Sequence, residues 1–191
     1  MASTSESPRR RGPLRRTATL LALSLLSGVS IAAGGVAPQA CVHGASSLPS
    51  ERFQDNGDGT VTDSASGLMW MRCSVGQDWR GGRCIGTVGS YDWGDAQRQA
   101  DRVSRDGRAF FSDWRVPGLR DLATITDRAC DNPRTNLAVF PGTPAAAYWS
   151  STPRPGEQAA DRALALSFGA DGVLLARKEQ RFHVRLVRTA P

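Results

Sequence analysis

The apolar residues of this chain fall into two regimes. From Ala18 to Ala37 they make one run of apolar and small residues without a charge. From Arg52 onward they come in short bursts, and the spacing of the bursts passes from strand-like to helical and back. Arg52-Phe53, the turn Asp55-Asn56-Gly57-Asp58-Gly59 and Thr60-Val61-Thr62-Asp63 predict strand, tight turn and strand. Glycine supplies the positive φ of such a turn, and the β-branched residues resume extended backbone. Leu68-Met69-Trp70-Met71 predicts a further short strand. Trp93, Ala96, Ala100 and Val103 then recur at helical spacing, with Arg98, Asp101, Arg102 and Arg105 on the other side and Ser90 or Asp92 as the cap. A second helix from about Leu119 to Asp127 aligns Leu119, Leu122 and Ile125, with Gly118 as a weak cap.

The stretch after Cys130 is irregular, with Pro133, Pro141 and Pro144. Extended structure resumes at Tyr148-Trp149-Ser150-Ser151, at Leu164, Leu166 and Phe168, and after the Gly169 to Gly172 turn at Val173 to Ala176. In the last segment Phe182, Val184 and Leu186 alternate with His183, Arg185 and Val187, which predicts a closing strand with two distinct faces. Strands at both ends with helices between them predict an α+β domain: two helices packed on antiparallel sheet, with the termini paired in one sheet. The domain spans 52–188, a small and polar linker covers 41–51, and the leader covers 1–40.

The charges decide what the first apolar run is. Arg9, Arg10, Arg11, Arg15 and Arg16 precede it, the order of a secretory signal: a basic end held at the inner face, then an apolar centre. Ala32, Gly34 and Ala40 are the candidate last residues before the cut. Ala-Pro-Gln-Ala before Cys41 lacks the leucine of a lipoprotein signal. An uncleaved anchor is the rival, because roughly 20 residues span a bilayer; the serines and glycines of the run speak against it. The whole chain carries +6, but the leader holds five arginines and one acid, leaving 19 basic and 17 acidic side chains beyond it. So mild an excess does not imply a nucleic-acid binder.

Four cysteines, Cys41, Cys73, Cys84 and Cys130, follow the leader. In an oxidising compartment an even count suggests two disulfides, with three pairings open. Gly76, Gly81 and Gly82 let the chain between Cys73 and Cys84 turn back, which pairs these two first and leaves Cys41 with Cys130. Neither the C-x-x-C spacing nor the nearby histidines of a metal site are present. The acidic turn fails as a calcium loop, since its third position is Gly57 and its twelfth is Ser66.

Little in the chain serves catalysis. A nucleophile and base pair would have to be built on His183, because His43 lies in the linker. No cofactor motif is present, and no pair of carboxylates is singled out by spacing. Binding chemistry is better represented. Trp79 sits in the glycine-rich disulfide loop, where an exposed indole can meet a ligand, whereas Trp70, Trp114 and Trp149 stand next to strand residues and read as core. Arg177, Lys178, Arg181, Arg185 and Arg188 outnumber Glu179, and on a strand Arg181, His183 and Arg185 would share one face, a ladder suited to sulfate or phosphate. The alternative is a solvated surface, with Arg185 and Arg188 in structural ion pairs.

Six motifs in order carry a family resemblance. They are Arg52-Phe53 with Asp55 to Asp63, Gly67-Leu68-Met69-Trp70, Cys73 with Gly76-Gln77 and Trp79, Asp113-Trp114-Arg115-Val116-Pro117, Trp149-Ser150-Ser151, and Val184-Arg185-Leu186-Val187-Arg188. Together they resemble the Lcl C-terminal domain family, named after the Legionella collagen-like protein, from about Arg52 to Arg188. The resemblance implies a bacterial envelope or secreted protein with a C-type-lectin-like fold, and its founding member is a trimeric adhesin domain for sulfated glycosaminoglycans. This chain has no collagen-like repeats, and it lacks the Glu-Pro-Asn, Gln-Pro-Asp and Trp-Asn-Asp elements of calcium-dependent lectins. Formylglycine-generating enzymes share the broader fold, but the cysteine pairing leaves no free thiol for their chemistry.

The expectation is therefore an exported, non-enzymatic recognition or adhesion module, in the periplasm or at the cell surface, for an anionic glycan. Its ligand-binding residues would be Arg177, Lys178, Arg181, Arg185 and Trp79, it would touch a membrane only through an uncleaved leader, and by resemblance it would form a trimer. The alternative is a structural envelope domain that binds another protein.

Overall fold

A computed structural model describes residues 1–2, 39–44, 46–107, 110–153 and 160–191. The chain divides into two units, Met1–Gly35 and Val36–Pro191, and the fold described is that of the second. The predicted leader lies outside the described residues except for Met1, Ala2, Gln39 and Ala40.

The fold is α+β with two helices, antiparallel sheets and two disulfides, as predicted. Strands β2 (Phe53–Asp55), β3 (Thr60–Asp63) and β4 (Leu68–Met71) form the expected meander. The last strand, β11 (Val187–Thr189), pairs with β4 at the edge opposite β2 in a sheet of order β11-β4-β3-β2, so the first and last strands of the predicted domain share a sheet but, against the prediction, do not pair. A second sheet, β10-β9-β8, is built from β8 (Ala147–Pro153), β9 (Arg162–Ser167) and β10 (Val173–Arg177). Two ribbons complete the set: β1 (Ala40–Cys41) with β7 (Cys130–Asp131), and β5 (Asp78–Arg80) with β6 (Arg83–Ile85). Both disulfides pair as predicted, Cys41 with Cys130 and Cys73 with Cys84, and each joins facing or neighbouring strands of a ribbon or its base.

Helix α1 (Trp93–Arg105) starts at Asp92, whose carboxylate accepts from the Asp95 N–H at 2.6 Å. Ala96 and Ala100 are buried in one core with Trp149, Ala163, Ala165, Val184 and Leu186. Helix α2 (Leu119–Thr124) is three residues shorter than predicted. Gly118 has no side chain to cap it, so the caps come from elsewhere: the Asp121 carboxylate accepts from the Gly118 N–H at 2.9 Å, and Thr152 Oγ1 of β8 accepts from the Leu119 N–H at 2.9 Å. Leu122 and Ile125 enter a second core with Phe53, Trp70, Phe140, Tyr148 and Phe168.

Two further predictions are corrected. Residues 41–51 are not a free linker, because they are tied to residues far along the chain. Val42 N–H donates to the Ala129 carbonyl at 2.7 Å, and Leu48, 6% exposed, belongs to the core of α2. Asp127, which the longer helix would have contained, turns inward and receives hydrogen bonds from Ser46 Oγ, from Ser47 Oγ at 2.6 Å, and from the Ser47 and Ala129 N–H groups at 3.1 and 2.9 Å. Burial alone would raise the Asp127 pKa, but these donors outweigh it and hold the carboxyl below its ordinary value.

Residues 182–186 likewise depart from the prediction and do not form a strand with a free face. This segment threads between the two sheets. Its carbonyls and N–H groups bond to Tyr91, Ala147 and Trp149 on one side and to Met71 and Val75 on the other. Both faces are covered, and Val184, Arg185, Leu186, Val187 and Arg188 are all buried.

Candidate functional site

The five residues predicted to bind a ligand are distributed over three places. Arg185 is inside. It is 0% exposed, and its guanidinium donates Nη1 to the Met71 carbonyl at 2.9 Å and to that of Arg72, and Nη2 to Thr143 Oγ1 at 2.7 Å and to Ser74 Oγ at 3.3 Å. It stacks 4.8 Å from the Phe140 ring centroid and lies 6.0 Å from that of Tyr148, whose hydroxyl shares a 2.6 Å hydrogen bond with Ser74. Burial lowers the Arg185 pKa and raises that of Tyr148. Its acceptors are neutral oxygens, and no carboxylate pairs with it among the described residues. The predicted ladder of Arg181, His183 and Arg185 is thus corrected: Arg185 bolts 71–74 and Thr143 to the seam between the sheets, out of a ligand's reach. His183 lies half-buried in the same seam, its Nδ1 bonded to the Gly89 carbonyl at 2.8 Å and its ring tilted against Tyr148. Arg188 forms the expected ion pair, Nε to Asp113 Oδ1 at 2.6 Å, and its hydrogen bond is the first cause of the low Asp113 pKa.

Arg177, Lys178 and Arg181 do gather at the surface. Arg177 ends β10, the edge strand of its sheet, and its register partner on β9 is Arg162. Like charges directly opposite one another disfavour a strand pair unless a counter-charge is supplied. Lys178 follows, its Nζ 4.5 Å from the Trp93 ring centroid, and its carbonyl accepts from the Trp93 N–H at 2.9 Å. Arg181 donates to the Ser90 carbonyl just before α1. Among the described residues, none of these four cations is in an ion pair. Arg162 was not foreseen, since only the register of β9 on β10 brings it beside Arg177.

Trp79 belongs to neither place. It stands on β5 and lines an open cleft of about 710 Å³ between the disulfide hairpin and α1, whose walls include Gln77, Asp78, Gln99, Arg102 and Asp106; none of Arg177, Lys178, Arg181 and Arg185 reaches it. The indole is half-buried and held. The Arg72 guanidinium packs 4.2 Å from its ring centroid, and Gly59, at φ +91°, presses so close that a Cβ there would come within 2.6 Å of Trp79 Cβ. Arg72 is fixed in turn by Asp55 at 2.6 Å and by the carbonyls of Val139 and Ala138, each at 2.9 Å. No group of three or more metal-ligating side chains occurs among the described residues.

A model of the Lcl C-terminal domain family matches residues 59–188, the segment that contains the seam, the basic group and all of the cleft lining except Asp58. The chain belongs to the Lcl C-terminal domain family. Comparison with curated proteins finds no match. Within this Lcl C-terminal domain, Arg185 and Trp149, both in the motifs that carry the resemblance, are fully buried, so those motifs mark the framework more than a binding face. No helix among the described residues is long and apolar enough to cross a membrane.

Proposed function

We propose that this Lcl C-terminal domain is an exported recognition module, without catalytic activity, that binds an anionic glycan at Arg162, Arg177, Lys178 and Arg181. The observation that carries this reading is the opposed Arg162 and Arg177 with Lys178 beside them, none of them in an ion pair among the described residues, while Arg181 next to them acts by charge on Asp92. Sulfate or carboxylate groups of a glycan would supply the missing counter-charge, and guanidinium pairs suit their bidentate geometry. A C-type-lectin-like arrangement, a place in the periplasm or on the cell surface, and assembly into a trimer belong to the same reading. The two disulfides agree with an oxidising compartment.

The test is retention on immobilised heparin over a salt series. The protein should be retained at low salt and released as salt rises, because exposed charges are screened. The triple variant Arg177→Ala, Lys178→Ala, Arg181→Ala should elute near the void. Absence of retention, or equal retention of the triple variant, would sink the proposal.

A second reading has its own support. Val173 and Leu175 are 56% and 40% exposed on the edge strand β10, a surface on which another envelope protein would bury apolar area. Co-purification of a stoichiometric partner that is lost on Leu175→Glu would favour it.

A further inference from the structure

The cleft at Trp79 differs in chemistry from the basic cluster. Three carboxylates, Asp58, Asp78 and Asp106, line it against two guanidiniums, Arg80 and Arg102, so its field does not favour a polyanion. Its volume of about 710 Å³ lies within the range of small-ligand sites, roughly 300–1,000 Å³. Around one indole stand carboxamides, carboxylates and guanidiniums, planar groups that offer a donor beside an acceptor, paired acceptors and paired donors respectively. Adjacent hydroxyls on a sugar ring, each both donor and acceptor, are the ligand groups that match such pairs.

The indole is also set in advance. Arg72 against its ring, the notch at Gly59 and the Cys73–Cys84 disulfide fix the hairpin before any ligand arrives, so little ordering remains for binding to offset. Trp93 and Trp149 satisfy their indole N–H groups with the Ser150 and Tyr91 carbonyls at 2.9 and 2.8 Å. No acceptor is recorded for Trp79 Nε1 among the described residues, and the atom is not among the buried unpartnered ones, so its N–H is open to an acceptor from outside the protein.

We infer that this cleft binds an uncharged saccharide, with Trp79, Gln99 and Arg102 as its contacts. The site is separate from the basic cluster and does not rest on the anionic-glycan reading. The experiment is a titration of the ¹⁵N-labelled exported protein, at high salt, with three uncharged probes: maltotriose, cellotriose and chitotriose. The Trp79 indole N–H resonance is assigned with Trp79→Phe. At least one probe should move that resonance in a saturable way at millimolar concentration. Gln99→Ala with Arg102→Ala, both on α1 and not on the hairpin that holds the indole, should weaken binding about tenfold or more. The triple variant of the basic cluster should bind the probe as the parent does. The inference fails if no probe moves the Trp79 resonance, if the Gln99 and Arg102 changes leave the affinity untouched, or if the response disappears in the triple variant. Loss of heparin retention, measured separately, would count against the anionic-glycan proposal alone.

Discussion

Arg177 and Arg185 lie eight positions apart in one basic run, and the structure gives them opposite surroundings. Arg177 ends an exposed edge strand opposite another arginine, whereas Arg185 is enclosed between two sheets and donates to four neutral oxygens. The difference is one of topology. At Arg177 the chain runs along the rim of a sheet; at Arg185 it passes between sheets, where a long cationic side chain can bridge backbone carbonyls that no regular strand satisfies. A local excess of positive charge therefore contains both an interior brace and a surface for anions.

The largest expected effect breaks the interior member. Arg185→Met removes the donors to the Met71 and Arg72 carbonyls and to Thr143 and Ser74, and leaving buried acceptors without partners costs about 1–3 kcal/mol for each group. The net loss should be about 3 kcal/mol or more, read as a lowered urea midpoint, with heparin retention of the folded fraction unchanged. A midpoint close to the parent's would show that Arg185 does not brace the seam.

A second brace should respond to acid. Asp127, Asp63 and Asp113 are all held below the ordinary carboxylate pKa in the folded protein. For Asp63, burial is the first cause and raises the value, but hydrogen bonds from Arg52, Ser66 and Ala65 overcome it. The unfolded chain then binds more protons than the folded one just below the unfolded pKa, so stability rises with pH in that window. Their contribution is fully present above about pH 5 and disappears as pH falls through the folded values. Asp127→Ala should lower stability by about 2 kcal/mol at neutral pH and flatten the acid limb of a urea midpoint against pH curve. An unchanged acid limb would rule out Asp127 as a contributor.

The smallest effect belongs to the surface. The triple variant at Arg177, Lys178 and Arg181 should stay within about 0.5 kcal/mol of the parent in stability while losing heparin retention. A large destabilisation would place these cations with Arg185 as structural and collapse the contrast.

How far the chain can be read without its fold follows the same division. Helix α1, the 53–63 hairpin and the Cys73–Cys84 loop are each decided within a few residues and all three are legible, though the choice of Asp92 over Ser90 as the cap is not. The end of α2 is not legible, because Asp127 leaves the helix to receive Ser46 and Ser47, some 80 positions earlier in the chain. For the same reason 41–51 reads as a linker although Leu48 is core. Trp79 could be flagged as an unusual indole in a glycine-rich loop, but the Gln99 and Arg102 wall facing its cleft comes from the polar side of α1, which helical spacing assigns simply to solvent.

From the sequence alone come the two helices, the 53–63 hairpin with the strand after it, both disulfides and membership of the Lcl C-terminal domain family. These rest on local backbone preference, on periodicity and on motifs in register. The tertiary structure decided which cations face water. A strand's two faces look alike in sequence whenever both carry side chains able to hydrogen-bond, and only the arrival of a second sheet makes one of those faces an interior.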